Sequence, residues 1–380
     1  MELFKLAVKK DRLHPLFKRI VSSEEYQPTI DVINGWSTGL MGRKKESKKF
    51  IQDFQLSFNS SLWELYLNKA FTDFGFSIDY SKESPDFNLH HSSGRVVNVE
   101  AVTSNNKDNL KPEYYSNESL SSASARSNDD FLDESTIKLA GKLKDKKDLF
   151  IGINNKKHPY HSLDHVKGNP FVIAVAPFDN HLSFSQNNMA INRVLYGINP
   201  PPPMGNGQQI SHILNRNAQR VDLGIFTNSN YKEVSAVIFS TTGMFGKAVV
   251  QAGLSNFVRA TRYRQMEVDE FMKIEGPDML GTSHKTIKPG HDVFSMRFLR
   301  GNFVCGSDTY LYPSSEHKES HLDGLHIYYN PYASVSLDRD LFSAYEVTQN
   351  GFDVNTQEMV CNHNDGSLVS RQTFTSCPVM

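Results

Sequence analysis

Three acidic side chains on otherwise apolar elements, all within residues 60–103, constrain the fold of this chain more than any other feature. The segment predicts a helix that is apolar around most of its circumference and then three short strands, near residues 76–80, 87–89 and 96–102. Glu64 lies on the helix, Asp86 at the start of a strand and Glu100 in the returning strand of a hairpin. Carboxylates in such a setting need a counter-charge or a metal ion.

The rest of the chain predicts one α/β domain with insertions. Helices are predicted over 46–58 and 133–148, and residues 170–177 form an apolar run bounded by prolines, which is typical of a central strand buried on both faces. Further strands are predicted near residues 223–226, 234–240, 256–261, 293–298 and 325–329. Because no repeat or clear linker divides the sequence, residues 1–380 are assigned to a single elaborated domain.

Composition excludes several classes of protein. Hydrophobic residues make up 38% of the chain and charged residues 22%, which fits neither a disordered nor a membrane protein. No run reaches the length of a membrane span, and we find no signal peptide. The three cysteines (Cys305, Cys361 and Cys377) are too dispersed for a disulfide framework, so the cytoplasm is the expected location. The net charge of −1 requires any nucleic-acid contact to come from local patches.

Asp86 and Glu100 form the most informative pair of acids. Neighbouring strands of a hairpin can bring their carboxylates to a common point, where they repel each other unless a divalent cation lies between them. Mg²⁺ suits such a site because it prefers hard oxygen ligands, retains waters and binds phosphate. This chemistry favours hydrolysis of a phosphodiester by a metal-bound water.

Each acid also has a structural interpretation. Glu64 could complete a capping box with Ser61 at the start of the helix, and Pro85-Asp86 could form a simple turn. Glu100 could pair with Lys146 or Arg95 in an ion pair.

At these residues the chain resembles the restriction-endonuclease-like superfamily, whose motif is written PD-(D/E)XK. Asp86 matches the aspartate of the motif, Glu100 its second acid, and Glu64 the acid on the preceding helix. The resemblance covers about the middle third of the chain. It implies a core of a mixed central sheet flanked by helices, over about 46–260, with large insertions and a β-rich C-terminal extension over about 261–380.

One position departs from the motif, because Val102 stands where the family has its lysine. In related enzymes this lysine can move to the following helix, where Lys142 and Lys146 are the candidates, with Lys138 behind them. These lysines recur at i, i+4 and i+8, which is also typical of a solvated helix face. If none of them reaches the acids, the fold could be kept without catalysis.

The resemblance implies a Mg²⁺-dependent endonuclease, with Mn²⁺ as a substitute, that acts on DNA rather than RNA. Asp86, Glu100 and Glu64 would bind the metal, and Lys142 or Lys146 would act in catalysis. The pattern W-E-L-Y … G-F … P-D-F … V-E-A-V-T-S-N is similar to uncharacterised bacterial proteins of this superfamily, several of which serve in defence against phage. This implies a partner protein or self-association and no membrane contact. The alternatives are a non-catalytic nucleic-acid-binding or assembly subunit and an enzyme acting on another phosphorylated substrate.

Four basic residues are candidates for contacts to nucleic acid. Lys44 and Lys45 belong to the densest basic run, which is also typical of a solvated loop. Lys247 follows a glycine-containing turn whose spacing is wrong for a phosphate-binding loop. Arg262 belongs, with Arg259 and Arg264, to a basic segment that could also be an exposed edge strand.

Two histidine groups have spacings that could bind Zn²⁺. They are H-x2-H-x3-H at His158, His161 and His165, and H-x3-H at His317 and His321, near Asp323. Neither group has a cysteine partner or an evident fourth ligand, so surface histidines are the simpler interpretation.

Overall fold

The computed structural model of the chain describes residues 3–42, 47–104, 128–153, 159–178, 187–199 and 208–374. Its α-helices are α1 (Pro15–Ser22), α2 (Gln27–Trp36), α3 (Ser47–Leu56), α4 (Phe58–Asp73), α5 (Asn128–Ile151), α6 (Met189–Tyr196), α7 (Phe245–Gln251) and α8 (Val268–Ile274). Within these residues, no helix is long and apolar enough to cross a membrane.

The strands, in chain order, are β1 (Ser77–Ile78), β2 (Phe87–His90), β3 (Val96–Thr103), β4 (Phe171–Ala176), β5 (His212–Leu214), β6 (Arg220–Asp222), β7 (Ala236–Ser240), β8 (Phe257–Glu267), β9 (Gly281–Lys288), β10 (His291–Arg300), β11 (Phe303–Pro313), β12 (Leu325–Tyr329), β13 (Thr348–Asp353), β14 (Glu358–Asn362) and β15 (Leu368–Phe374). They form an eight-stranded sheet, a five-stranded sheet and the small β5–β6 pair.

The large sheet is mixed, with strand order β1-β2-β3-β4-β7-β12-β13-β14. Strands β3, β4 and β7 run parallel to one another, and β12 and β13 form a second parallel pair. The pairs β1–β2, β2–β3, β7–β12 and β13–β14 are antiparallel. The parallel centre needs crossover connections, and α5 supplies the one between β3 and β4.

Strand β4 shows why the sheet is buried on both faces. Its alternate residues Val172 and Ala174 join the core formed with α1–α4, and Ile173 and Val175 join a second core formed with α5 and α6. Successive side chains of a strand point to opposite faces, so a continuous apolar run suits a strand covered on both sides. Trp63 of α4 anchors one layer to the sheet, because its fully buried indole N–H donates to the Ala174 carbonyl over 3.1 Å.

The five-stranded sheet is antiparallel, with order β15-β8-β11-β10-β9. The chain leaves the large sheet after β7, builds β8–β11, returns to add β12–β14 to the large sheet, and then adds β15 to the five-stranded sheet. The predicted C-terminal region, 261–380, therefore contributes strands to both sheets.

The mixed central sheet, its flanking helices and the β-rich C-terminal region are confirmed. The predicted strand at 223–226 is wrong, because these residues form a turn after β6 whose apolar side chains pack into the second core. The edge-strand interpretation of the segment around Arg262 is also wrong, since β8 pairs with β15 on one side and β11 on the other.

Candidate functional site

The β2–β3 hairpin places Asp86 beside Glu100. Phe87 lies opposite Val99 in the antiparallel register, so Asp86, one residue before β2, lies at the level of Glu100. The backbone N–H of Ala101 donates to Asp86 Oδ2 over 2.8 Å. The Asp86 carboxylate therefore accepts the hydrogen bond of the Ala101 amide just before β2 begins. This hydrogen bond fixes Oδ2 of Asp86.

Glu100 is buried on β3, with 3% of its surface exposed. Its Oε1 accepts hydrogen bonds from Lys146 Nζ at 2.6 Å and from the Tyr160 hydroxyl at 3.4 Å. Its Oε2 is also buried, but no group in the described part of the chain donates to it. An unpartnered buried carboxylate oxygen is costly, so a partner for Oε2 has to come from outside the described residues.

The ion pair of Lys146 with Glu100 was one of the alternatives for Glu100, and it is confirmed, while Arg95 instead pairs with Asp338. Burial alone would lower the pKa of the Lys146 ammonium. The nearby carboxylates, Glu100 first and then Asp86 and Glu64, outweigh burial and raise this pKa. The raised pKa keeps a positive charge on Lys146 beside Glu100.

Lys146 also lines a cavity of about 280 Å³, whose lining residues do not include Asp86 or Glu100. Its wall combines α4, the end of β3 and α5, through Ser60, Trp63, Glu64, Ala101, Val102, Thr103, Lys142 and Lys146. Helices α4 and α5 belong to the cores on opposite faces of the sheet, and both reach the cavity where β3 extends past β2. The volume is small compared with pockets for drug-sized ligands, and it suits a hydrated cation with one phosphate group.

Val102 lies on the same face of β3 as Glu100, two residues further along, and packs against the core that includes α5. A lysine at this position would enter the space that Lys146 reaches from α5. Lys142, one turn before Lys146, also lines the cavity, and no ion pair joins it to another described residue. Lys138 is engaged with Glu134 over 3.1 Å. The structure thus brings Lys146 to Glu100 and places Lys142 in the wall of the same cavity.

Glu64 lies in the second turn of α4, is half-buried and lines the cavity. The capping-box interpretation is wrong, because α4 begins at Phe58 and Ser61 is a buried residue inside the helix. Ser60, also inside the helix, instead exchanges a hydrogen bond of 2.7 Å with the Thr103 hydroxyl of β3. This contact ties α4 to the end of the strand that carries Glu100.

The described residues contain no group of three or more His, Cys, Asp or Glu side chains arranged to hold a metal ion. Of the three candidate acids, Asp86 and Glu100 lie opposite each other in the hairpin, and Glu64 lines the cavity. Mg²⁺ tolerates so few protein ligands, since it commonly binds one or two carboxylates and completes its shell with waters and substrate phosphate.

The four predicted nucleic-acid contacts lie away from this cavity or outside the described residues. Lys44 and Lys45 are outside them. The predicted nucleic-acid contact of Lys247 is wrong, because its side chain is fully buried. The Lys247 ammonium pairs with Glu319 at 2.5 Å and donates to the carbonyls of Ser320 and Asp323. A buried, fully engaged ammonium cannot contact a nucleic acid.

The predicted nucleic-acid contact of Arg262 is also wrong. Its guanidinium donates to the Gly366 and Lys318 carbonyls at 2.7 and 2.6 Å and pairs with Asp323 at 3.3 Å. With its side chain 19% exposed and its donors in use, Arg262 holds neighbouring loops together and presents little charge to solvent.

The histidine groups do not form zinc sites among the described residues. His158 lies outside those residues, His161 bonds to the Phe150 carbonyl and His165 to the Ser84 carbonyl. His317 and His321 diverge. His317 bonds to Tyr312 and Glu319, whereas the His321 ring accommodates the Tyr66 carbonyl and the Gln251 side chain.

Tyr160 is the site residue that the sequence did not indicate. It opens a short 3₁₀ turn, Tyr160–Ser162, in a loop with no periodicity, so only its proximity to Glu100 reveals it. Burial, and then the Glu100 and Asp86 carboxylates, raise the pKa of the Tyr160 hydroxyl well above its usual range, so it stays a hydrogen-bond donor.

No protein-family model, curated protein or solved structure matches this chain. The chemistry of the site is therefore the basis on which a function can be inferred.

Proposed function

We propose that this protein is a Mg²⁺-dependent phosphodiester hydrolase that acts on DNA and is built on a restriction-endonuclease-like core. One observation carries the proposal: Glu100 is held through Oε1 by Lys146, its buried Oε2 has no donor among the described residues, and the hairpin register puts residue 100 opposite Asp86. An orphaned carboxylate oxygen next to a second carboxylate and a small cavity fits a divalent cation.

The residues divide into ligands and cations. Glu100 Oε2 and the Asp86 carboxylate would hold the metal. A bound Mg²⁺ supplies polarisation of the phosphate and a water of lowered pKa. Lys146 and Lys142 face the same cavity from α5, so they would bind the phosphate and stabilise the negative charge that develops on it.

The resemblance to phage-defence proteins of the superfamily favours DNA as the substrate and a partner protein in the same system. Self-association would allow cleavage of both DNA strands, because one cavity of this size would act on one strand and two copies would cut both.

Cleavage assays test the proposal. Plasmid and linear DNA are incubated with Mg²⁺, Mn²⁺ or EDTA and the unsubstituted chain, Asp86→Asn or Glu100→Gln. Loss of a metal ligand is expected to lower cleavage at least ~100-fold. Glu134→Gln, which removes an acid on α5 that pairs with Lys138 away from the cavity, is the matched control and should retain activity. Equal cleavage by Glu100→Gln and the unsubstituted chain would reject the site.

A second candidate function is a non-catalytic DNA-binding or assembly subunit that retains the fold. Val102 in place of a lysine, together with the Lys146–Glu100 pair, favours it, since an ammonium tied to a carboxylate is less available to phosphate. This function predicts DNA association without cleavage under any divalent cation, and metal-dependent turnover lost in Asp86→Asn would exclude it.

A further inference from the structure

The short segment from Pro159 to Pro170 contacts the elements that carry both candidate metal ligands. The His165 ring nitrogen Nε2 lies 2.8 Å from the Ser84 carbonyl, two residues before Asp86. The Asn98 side-chain amide of β3 donates to the His165 carbonyl over 3.3 Å. The loop that precedes β4 is thus bonded to the turn before β2 and to the strand that carries Glu100.

Tyr160 is the residue of this segment that contacts a ligand itself. Its hydroxyl donates to Glu100 Oε1 and also interacts with the Ser84 side chain. Its ring packs edge-on against Phe171 of β4, with the ring centroids 6.4 Å apart, and this limits its movement. The hydroxyl therefore reaches Glu100 from a ring that is already held in place.

Both donors to Glu100 use the same oxygen. Lys146 and Tyr160 approach Oε1, and Oε2 is left buried without a donor among the described residues. A glutamate side chain has three rotatable bonds, and rotation about the last one exchanges its two oxygens. Two donors that arrive from different elements oppose this exchange more strongly than one, because α5 and the loop would both have to move.

We propose that Tyr160 is a positioning residue of the metal site, which holds Glu100 with Oε2 free for a divalent cation. The inference rests on the proposed function, and it adds a residue outside the helix–hairpin motif to the site. Residues that orient a metal ligand through a hydrogen bond commonly contribute ~10–100-fold to metal affinity. Because the Tyr160–Glu100 bond is long, at 3.4 Å, we expect the lower end of this range.

Direct metal binding, measured without DNA, tests the inference. Mn²⁺ binding is followed by electron paramagnetic resonance and by calorimetry for the unsubstituted chain, Glu100→Gln and Tyr160→Phe. Tyr160→Phe is expected to weaken Mn²⁺ binding about 10-fold, and Glu100→Gln to abolish binding at the site. The matched control is Tyr231→Phe. Tyr231 is another half-buried tyrosine, with the Lys147 ammonium of α5 4.4 Å from its ring centroid. The Tyr231→Phe variant should bind Mn²⁺ as the unsubstituted chain does.

Two further readouts separate positioning from a general loss of structure. The metal-free thermal midpoint of Tyr160→Phe should match that of the unsubstituted chain. In the cleavage assay, the metal concentration for half-maximal rate should rise about 10-fold while the rate at saturating metal stays within about threefold.

The outcomes distinguish the two proposals. If the unsubstituted chain binds Mn²⁺, Glu100→Gln does not, and Tyr160→Phe binds as tightly as the unsubstituted chain, the role of Tyr160 is overturned and the metal site stands. If the unsubstituted chain binds no Mn²⁺, the metal site itself is overturned, and the role of Tyr160 with it.

Discussion

Replacement of Lys146 by methionine separates the structural role of this residue from a catalytic one. Lys146 Nζ donates to Glu100 Oε1 at 2.6 Å, and the two side chains are 23% and 4% exposed. Methionine keeps most of the aliphatic stem but removes the charge. Glu100 then stays buried with only the weak Tyr160 bond, because no other described group donates to it.

The cost follows from the burial of the pair. Removing one partner of a fully buried ion pair costs about 3–5 kcal/mol, and because water reaches part of Lys146 we expect about 2–3 kcal/mol. Replacing both partners, in Glu100→Gln with Lys146→Met, removes the uncompensated charge. The double variant should therefore lie within about 1 kcal/mol of the unsubstituted chain.

Urea unfolding with EDTA or with Mg²⁺ measures these differences. A ligand that binds only the folded state stabilises it by about 1.4 kcal/mol at ten times its dissociation constant. In Lys146→Met a bound cation would become the main counter-charge of Glu100. We therefore expect Mg²⁺ to stabilise this variant more than it stabilises the unsubstituted chain.

The control is Lys69→Met on α4. Lys69 pairs with Asp73 one turn later at the surface, and such exposed pairs contribute about 0–1 kcal/mol. The reasoning fails if Lys146→Met is as stable as the unsubstituted chain in EDTA, or if the double variant is less stable than Lys146→Met.

Three further predictions concern residues away from the cavity. Burial lowers the pKa of His326 from 6.5 to about 4. As the pH falls, this histidine is therefore protonated first in the unfolded chain, and the free energy of unfolding should decrease by about 1.4 kcal/mol by pH 5.5. His326→Gln should show a shallower decline of the thermal midpoint between pH 7 and 5, and an equal slope would contradict this. A Cβ at Gly243 would lie 2.8 Å from the Trp63 ring, so Gly243→Ala should lower the stability measured in urea by about 1–3 kcal/mol. Lys247→Met leaves Glu319 buried with a missing partner, so it should lower stability by about 3–5 kcal/mol while DNA affinity in a gel-shift assay stays unchanged.

Local patterns in the sequence were sufficient to predict the part of the site that lies on helices and strands. The apolar circumference of α4, the hairpin and the apolar run of β4 each follow from residues that are close together in the chain. The spacing of Lys142 and Lys146 places them on one face of α5, and the structure turns that face towards the acids. Helical and strand periodicity carry this information, because they fix which side chains share a face.

Contacts between distant segments could not be predicted in this way. Lys247 was interpreted as a phosphate contact because its turn has glycines, but Glu319 and Arg371 enclose it from segments 72 and 124 residues away in the numbering. The sequence does not show that these three charges share one buried cluster. Arg262 was misinterpreted for the same reason, since its acceptors lie in loops far along the chain.

Formal charges at the cavity bear on the choice between a nuclease and a DNA-binding subunit. The carboxylates of Glu64, Asp86 and Glu100 act on Lys146, and Lys142 is the second cation beside them. Among the described residues, three negative charges against two positive ones leave an excess of negative charge, which repels a phosphodiester. One divalent cation would reverse the sign, so under the proposed function we expect phosphate binding here to require the metal.

Because of this requirement, a measurement of DNA affinity without cleavage shows whether DNA binds at the cavity or on another surface. Ca²⁺ takes the same oxygen ligands as Mg²⁺ but favours a more irregular geometry, which suits a measurement of binding. If DNA affinity rises with Ca²⁺ over EDTA and Glu100→Gln removes the rise, DNA binds at this cavity, and cleavage in Mg²⁺ then distinguishes the nuclease from the binding subunit. Affinity that is the same in Ca²⁺ and EDTA, and in both chains, would place DNA on another surface and leave the orphaned Glu100 oxygen to a different phosphorylated ligand.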